Sequence, residues 1–478
     1  MNDRDLMFLP ARTQRQMIIR GEVSSVELTE ASLRRIKKLE PKLNAFITVD
    51  EEGALKAAKA ADRAQAKGGD LGPYHGVPIS VKDLETTKGL RTTLGCAVYK
   101  EWVPDFDSVV AERVKRMGAI ILGKTNTPEF GNREETYTKF HPAANNPWDV
   151  KRHPGGSSGG AAASVASGMC AIATGTDGGG SVRLPASFCG IFGLKPTQGR
   201  WPRYGGVAKM ALNPTSTSGP MTNDVTDAAI LCQAVSGHDP RDSGSLRAPV
   251  PDYVSDLNNG VKSWRVGVSM DMGFAQVNDD VAKCVDDAAN AFSELGAKVS
   301  AAPLKFDPPP REYWWTVWCG NQAAMYGQLA EERPQDLMDY TLEMVKHGRT
   351  LSAADFTRAL RQAEVHRLML TRLFEEYDVI ITPGHGAVAW PHRDPPKQVG
   401  SKKPEGKLAG ISYGAIPFTM AFNISWNPAA SVPRGYGEGG MPVGLQVVGA
   451  HDRDDMVLRA CRSFEQARPW TRRRPAVS

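Results

Sequence analysis

Between residues 155 and 199 the chain reads GGSSGGAAASVASGMCAIATGTDGGGSVRLPASFCGIFGLKPTQG, and twelve of these 45 residues are Gly. Dense Gly opens backbone conformations closed to other residues. It also lets successive N–H groups converge on one point and form a concavity for an anion. Two serine-bearing turns flank an Ala-rich stretch of helical composition. Four readings are open at this point. A phosphate-cradling loop has little support, because GTDGGGS lacks the Lys-Ser/Thr ending of a P-loop and no GxGxxG joins a strand to a helix. Gly155-Gly156-Ser157-Ser158-Gly159 matches the G-x-S-x-G elbow, but the preceding VKRHP makes a poor buried strand. Ser–Lys chemistry of the S-x-x-K kind lacks a nearby Lys, so the Lys must come from elsewhere in the chain. The fourth reading is a closely packed Gly/Ala helix pair without chemistry, and three separate Gly-flanked serines beside TDGGGS weigh against it.

Composition limits what this centre can serve. A length of 478 residues suits about three domains of roughly 150 residues, or one large α/β unit. Hydrophobic residues at 41% and charged residues at 23% are globular values. With 58 Lys+Arg against 53 Asp+Glu, the net charge of +5 is spread too thinly for a nucleic-acid or membrane surface. The basic run Arg472-Arg473-Arg474 reads as a frayed, solvated tail. MNDRDLMFLPARTQRQ is not a secretory signal, and no apolar run approaches eighteen residues. Cys96, Cys170, Cys189, Cys232, Cys284, Cys319 and Cys461 form no CxxC or CxxH spacing, which argues against a disulfide framework and a zinc site. A cytoplasmic protein without metal or cofactor is expected. The sequon Asn423-Ile424-Ser425 then reads as a chance match.

Residues 24–46 open on Ser caps, with Leu28, Leu33, Ile36, Leu39 and Leu43 near helical spacing, and a polar helix follows at 51–67. VPISVKDL is a short β-type run, and DSVVAERVKRMG then AIILGKT reads as helix followed by strand. The pattern returns with strand 264–269, helix 278–296 between Asn278 and Gly296, and strand-like AKVSAA. Helix 353–377 leads into strand 378–383. Such alternation predicts an α/β fold with a large, mostly parallel mixed sheet sandwiched between helices. Segments 237–251 and 392–407 read as surface loops, neither long enough to link independent domains. One domain over 1–478 is expected, with a helical portion at 1–70.

GGSSGGAAASVASG followed by GTDGGGSVRLPASFCGIFGLKPTQGR resembles the amidase signature enzymes. Related blocks are GVPISVKDL (76–84), GAIILGKTNTPEFG (118–131), GPMTNDVTDAAILCQAVSG (219–237) and FNISWNPAASVP…GMPVGLQVVG (422–449). The resemblance is weakest over 240–410, which reads as the variable, substrate-specifying region. It implies a Ser–Ser–Lys triad of Lys82, Ser157 and Ser181, with Ser157 following Lys82 by 75 residues and Ser181 following Ser157 by 24. It also implies an oxyanion turn made by the N–H groups of Gly178, Gly179, Gly180 and Ser181, and a cis peptide at Gly156–Ser157. The family pattern TD-x-GG-S often has a non-Gly residue where three Gly, 178–180, run together here; this departure is expected to loosen the turn without removing it.

Ser181 would be the nucleophile, inert until a base takes its proton. None of the nine His sits in a recognisable triad motif, so a His base has no sequence support, and the resemblance implies Lys82 in that role. That requires a neutral amine, and burial is what lowers a Lys pKa. Ser157 would relay the proton. Inward-pointing amides would stabilise the oxyanion, at about 3–4 kcal/mol per donor in known hydrolases. Ser158 either orients the triad or caps the next helix. Asp177 braces the turn, and Arg183 is a structural pairing residue. The bland alternative for Lys82 is a surface pair with Asp83.

The resemblance implies hydrolysis of amides, with esters and carbamates (urethanes) open to the same machinery. The substrate is a small molecule handled by a monomer or homodimer, without nucleic acid or membrane. YWWTVWCGNQAAMYG (313–327) reads first as core; any part facing the site favours an apolar or aryl substrate. Trp201 and Trp426 are further aromatics expected near it. Two rivals stand. One is the glutamine-hydrolysing component of a tRNA-dependent amidotransferase, whose Gly-x-Glu-Val-x-Arg-Arg stretch is missing before the late helix. The other is a non-catalytic binding protein on the same fold.

Overall fold

The computed structural model describes residues 1–210, 213–404, 407–408, 411–471 and 473–478, leaving aside the side chains of 407–413. A reciprocal cap starts the first long helix, Ser25–Leu43: Ser24 Oγ accepts the Glu27 N–H at 3.0 Å and Glu27 Oε2 accepts the Ser24 N–H at 2.8 Å. Its five periodic apolar residues are buried. Asn44, with φ 47°, turns the chain out of the helix, so the expected helix over 24–46 gives way to strand β1 (Phe46–Val49). The polar helix Glu51–Lys67 follows as read.

The remaining strands are β2 (Pro78–Lys82), β3 (Ile120–Thr125), β4 (Ile172–Asp177), β5 (Phe192–Lys195), β6 (Thr217–Thr222) and β7 (Arg265–Val268). After them come β8 (Lys298–Ala301), β9 (Val379–Pro383), the short pair β10 (Lys407–Leu408) and β11 (Ile411–Ser412), β12 (Ala429–Tyr436) and β13 (Pro442–Gly449). Eleven of them form one sheet in the order β1-β3-β2-β4-β6-β5-β12-β13-β9-β7-β8, while β10 and β11 pair with each other.

The expected mixed α/β sheet is present, but its expected parallel majority is not. Parallel pairing joins β2 to β3 and β4, and β7 to β8 and β9. The other six neighbour pairs are antiparallel. A parallel pair needs a crossover, and helices Val109–Arg116 and Asp279–Glu294 supply one on each flank. In the centre β12 returns directly into β13 by the short turn at 437–441.

Helices cover both faces. Apolar residues of Val225–Val235, Asp279–Glu294 and Asp454–Ala467 pack together with Trp201 on one face, and those of Gly159–Ala166 and Arg183–Cys189 on the other. Trp201 is thus core. The seven cysteines are free and buried, and the sequon residue Asn423 is wholly buried and hydrogen-bonded to Asp177. Of the basic run, Arg472 lies outside the described residues. Arg474 pairs with Asp5 at 2.8 Å and lies over Phe8, and Arg473 covers Tyr436. That end is docked rather than frayed, because the N-terminal helix offers it a carboxylate and a ring. No helix among the described residues is long and apolar enough to cross a membrane.

Candidate active site

Strands β2 and β4 run parallel and end side by side, so the last residue of β2, Lys82, arrives beside Thr176 and Asp177 at the end of β4. Crevices at the carboxyl ends of parallel strands are where α/β sheets place ligands. Lys82 is fully buried. Its Nζ lies 2.7 Å from Ser157 Oγ, 2.8 Å from Thr176 Oγ1 and 2.9 Å from Ser158 Oγ. No carboxylate pairs with it among the described residues. Asp83, the bland partner, is taken up by Thr93, whose N–H and hydroxyl both donate to it.

Burial holds the Lys82 pKa well below the ordinary lysine value. The charges of Asp177 and Glu85 oppose that shift, and Arg203 assists it. Nearby Lys124 has a different environment. It donates to Thr87 Oγ1 at 3.0 Å and to the Glu85 carbonyl, and burial, opposed by Asp83 and Glu85, lowers its pKa only to about 8.

Ser158 is at the N-cap position of helix Gly159–Ala166 but makes no side-chain cap bond. Its hydroxyl donates to the Thr176 carbonyl at 3.2 Å and accepts the Thr176 N–H at 3.2 Å. With its one proton committed, Ser158 can only accept from Lys82. Of its two readings, orientation fits and capping does not. The peptide at Gly156–Ser157 is cis, as expected. Ser181 borders the same cavity as Ser157. Its carbonyl accepts the Ser158 N–H at 3.2 Å, while its hydroxyl has no hydrogen-bond partner among the described residues.

The glycine turn is held from both sides. Asp177 accepts the N–H groups of Gly180 at 2.7 Å and Val182 at 3.1 Å. Arg183 closes on the same carboxylate with Nε at 3.0 Å and Nη2 at 2.9 Å. Burial alone would raise the Asp177 pKa; the guanidinium and the Asn423 amide outweigh it and hold the carboxyl well below its usual range. Both residues therefore act as expected, as brace and partner. The Gly180 N–H, however, is consumed by this brace and leaves the expected oxyanion set of four. Gly180 itself needs its φ of 131°.

Sequence reasoning missed the outer clamp. Trp314 Nε1 donates to the Gly178 carbonyl at 2.8 Å, and Thr419 Oγ1 donates to the Gly179 carbonyl at 2.6 Å. In a trans peptide the C=O and the next N–H point opposite ways. Fixing the Gly178 carbonyl therefore fixes the Gly179 N–H facing away from Trp314. The amides of Gly178, Gly179 and Ser181 remain without a partner among the described residues. Gly at 178 does not loosen the turn: a Cβ there would meet the Trp318 ring at 2.5 Å, so the indole stands where a side chain would be. Trp314 and Trp318 are one helical turn apart and stack at 5.1 Å and 18°, whereas Trp315 turns away toward His347. The aromatic run is thus divided between core and site, and the i, i+4 spacing was the available signal. Trp426 is outside the cavity lining, with Nε1 on the Pro214 carbonyl at 2.8 Å and Arg367 over its ring.

The geometry is a desolvated amine among hydroxyls, next to a turn of unpartnered amides, at the strand ends of an α/β sheet. The family model described as Amidase matches residues 27–458. An acylamidase of Rhodococcus erythropolis is 34% identical over 100% of this chain and 99% of its own. The glutamyl-tRNA(Gln) amidotransferase of Thioalkalivibrio sulfidiphilus contributes a second relative, its A-type component, which is 37% identical over 96% of this chain and 97% of its own. Among solved structures, 6-aminohexanoate cyclic dimer hydrolase superposes with a TM-score of 0.88 at 30% identity, covering 98% of this chain and 99% of that one. The chain belongs to the amidase family, whose members include hydrolases acting on amides.

Proposed function

We propose that the protein hydrolyses carboxylic amides through a Ser181 acyl-enzyme, with Ser157 as proton relay and neutral Lys82 as base. The observation that carries this is the cage around Lys82: three hydroxyls within 2.9 Å and full burial. A neutral amine has two N–H groups and one lone pair. Ser158 and Thr176 accept the two N–H groups, and the lone pair is left for the Ser157 proton. Ser157 then takes the proton of Ser181 as Oγ attacks the carbonyl carbon. It returns that proton to the nitrogen when the C–N bond breaks. The amides of Gly178, Gly179 and Ser181 receive the developing oxyanion. Esters and carbamates present the same carbonyl to the same groups and are expected to be cleaved as well.

The rival reading is glutamine hydrolysis, favoured by the name of the amidotransferase relative. Phe130 and Tyr326, stacked at 3.7 Å, wall the cavity beside the serines and suit an aryl amide, while Glu85 and Arg203 border the same cavity. The enzyme is proposed to act alone, as a monomer or homodimer, on small molecules. Turnover of glutamine, aliphatic amides, anilides and aryl carbamates, with Ser181→Ala as control, tests the set. Glutamine as the sole substrate would establish the rival. Failure of a fluorophosphonate to label Ser181 would favour a non-catalytic binding protein.

A further inference from the structure

The cavity at the serines has two lobes of unequal size that meet at Ser181. The larger measures about 430 Å³ and is bordered by Ser157, Thr176, Gly178 and Ser181, with Tyr99 and Tyr204 among its walls. The smaller measures about 40 Å³ and is bordered by Gly179, Gly180, Ser181, Leu184, Ile416 and Met420. Ser157 borders the larger lobe and not the smaller. This asymmetry decides which half of a substrate goes where. The departing nitrogen collects its proton from Ser157, so the amine half must occupy the lobe that Ser157 faces. The acyl half is left the other.

We propose, building on the reading above, that the substrates are amides joining a compact acyl group to a bulky aromatic amine, with the acyl group in the small lobe. A volume of about 430 Å³ is that of a site for a drug-sized molecule, where such sites span roughly 300–1,000 Å³. The small lobe, at about 40 Å³, holds about three water-sized atoms at roughly 10–15 Å³ each. That is room for an acyl chain a few atoms long. The charged side chains bordering it, Arg133 and Glu134, face each other at 3.5 Å, and Leu184, Trp314, Ile416 and Met420 leave an apolar floor. The acyl group is therefore uncharged. On the other side, Phe130 and Tyr326 stack face to face at 11° and present aromatic surface to the amine.

The chemistry balances with water alone. Ser181 Oγ bonds to the carbonyl carbon and its proton passes through Ser157 to Lys82. The C–N bond breaks as that proton moves to the nitrogen, and the arylamine leaves from the large lobe. Water then adds to the Ser181 ester, the ester C–O bond breaks, and the short carboxylic acid departs with the Ser181 hydroxyl restored.

Two substrate series test the assignment on the full chain. In the first, aniline carries acyl groups from acetyl to octanoyl; in the second, acetyl is joined to amines from methylamine to aminobiphenyl. Overfilling the small lobe is expected to cost roughly 10- to 100-fold in kcat/KM once the chain outgrows it, while aromatic amines outperform methylamine. Met420→Ala is expected to move the acyl cut-off outward by about two or three carbons and to keep the rank order of amines. Ile416→Val, a smaller change, should move it in the same direction. Preference for long acyl chains, or a Met420→Ala effect confined to the amine series, overturns the assignment of the lobes. Labelling of Ser181 by a fluorophosphonate is measured alongside. Labelled protein with the reverse preference refutes only this inference, whereas unlabelled protein that turns over nothing refutes the hydrolase reading and this one with it.

Discussion

Replacing Trp314 by Phe keeps a ring against Trp318 but removes the N–H that donates to the Gly178 carbonyl at 2.8 Å. The lost bond is neutral and is worth about 0.5–1.5 kcal/mol net. The freed peptide plane carries the Gly179 N–H, which remains present but is no longer aimed. Complete loss of an oxyanion donor costs about 10²- to 10³-fold in kcat, and that figure is the ceiling for a residue acting through another. Loosening by about 1.4 kcal/mol predicts a fall in kcat of roughly tenfold. KM for a small anilide should change less than about twofold, because the bond serves the transition state and not substrate uptake. A boronic acid that mimics the tetrahedral state should lose affinity by the same factor as kcat/KM. Benzothienylalanine at position 314 keeps the fused ring and puts sulfur where the N–H was, so it should reproduce the defect without a change of volume. If either variant unfolds more easily in urea yet retains full kcat, Trp314 is packing alone and the clamp argument is wrong.

Ser181→Ala and Lys82→Ala should each reduce turnover by at least about 10³-fold while circular dichroism stays native; retention of a tenth of the activity by either would exclude its role. Because burial holds Lys82 below its ordinary pKa, the neutral, active form grows as pH rises, so kcat/KM should climb through that pKa and level off above it. An acid optimum contradicts this. The same depressed pKa means that the unfolded chain binds a proton the folded chain excludes. The Lys82 contribution to stability therefore rises with pH between its folded pKa and the ordinary lysine value. Arg183→Met leaves the Asp177 carboxylate buried without its guanidinium partner and should cost about 3–5 kcal/mol in urea unfolding; a loss under about 1 kcal/mol would show the pair to be dispensable. Gly178→Ala puts a methyl 2.5 Å from the Trp318 ring and should impair folding or kcat. Combining it with Trp318→Leu should recover part of the loss, since residues in contact couple.

The flanks of the fold were readable because each carries its own periodic signal. Helix Glu51–Lys67, strand β3 after helix Val109–Arg116, and β7–helix–β8 lie where charge and apolar spacing put them. The antiparallel centre was not. AASVPRGY in β12 and PVGLQVVG in β13 mix Gly and Pro into runs almost wholly buried on both faces, so no alternation of period two marks them. The site divides in the same way. Lys82, Ser157 and Ser158 were reached through the family resemblance of the blocks that hold them. Thr176 stands 94 residues from Lys82, Trp314 stands 136 from Gly178 and Thr419 stands 240 from Gly179. Nothing local in TGTD, YWWTVW or PFTMAF says which carbonyl or amine the folded chain will bring to them. Asp177 was read correctly as a brace, yet its cost, the Gly180 amide, is visible only once the donors are counted in three dimensions.

Two ionisable groups, both fully buried and contributed by neighbouring strand ends, are both held below their ordinary pKa at this site, which keeps the carboxylate charged and favours the neutral amine. Asp177 is given a guanidinium, an Asn amide and backbone N–H groups, and these keep its charge in spite of burial. Lys82 is given hydroxyls and, among the described residues, no carboxylate partner, so burial prevails and the ammonium is disfavoured. Adjacent residues of one strand divide the work: Thr176 accepts from the amine and Asp177 fixes the turn that carries Ser181, the proposed nucleophile. Exchanging these environments should exchange the outcome. A carboxylate in place of Thr176, as in Thr176→Asp, would pair with Lys82, raise its pKa and hold it protonated. That variant should fold, lose turnover at neutral pH and recover part of it only under strongly alkaline conditions. A Thr176→Asp enzyme with the wild-type pH profile would mean that the amine is not the base.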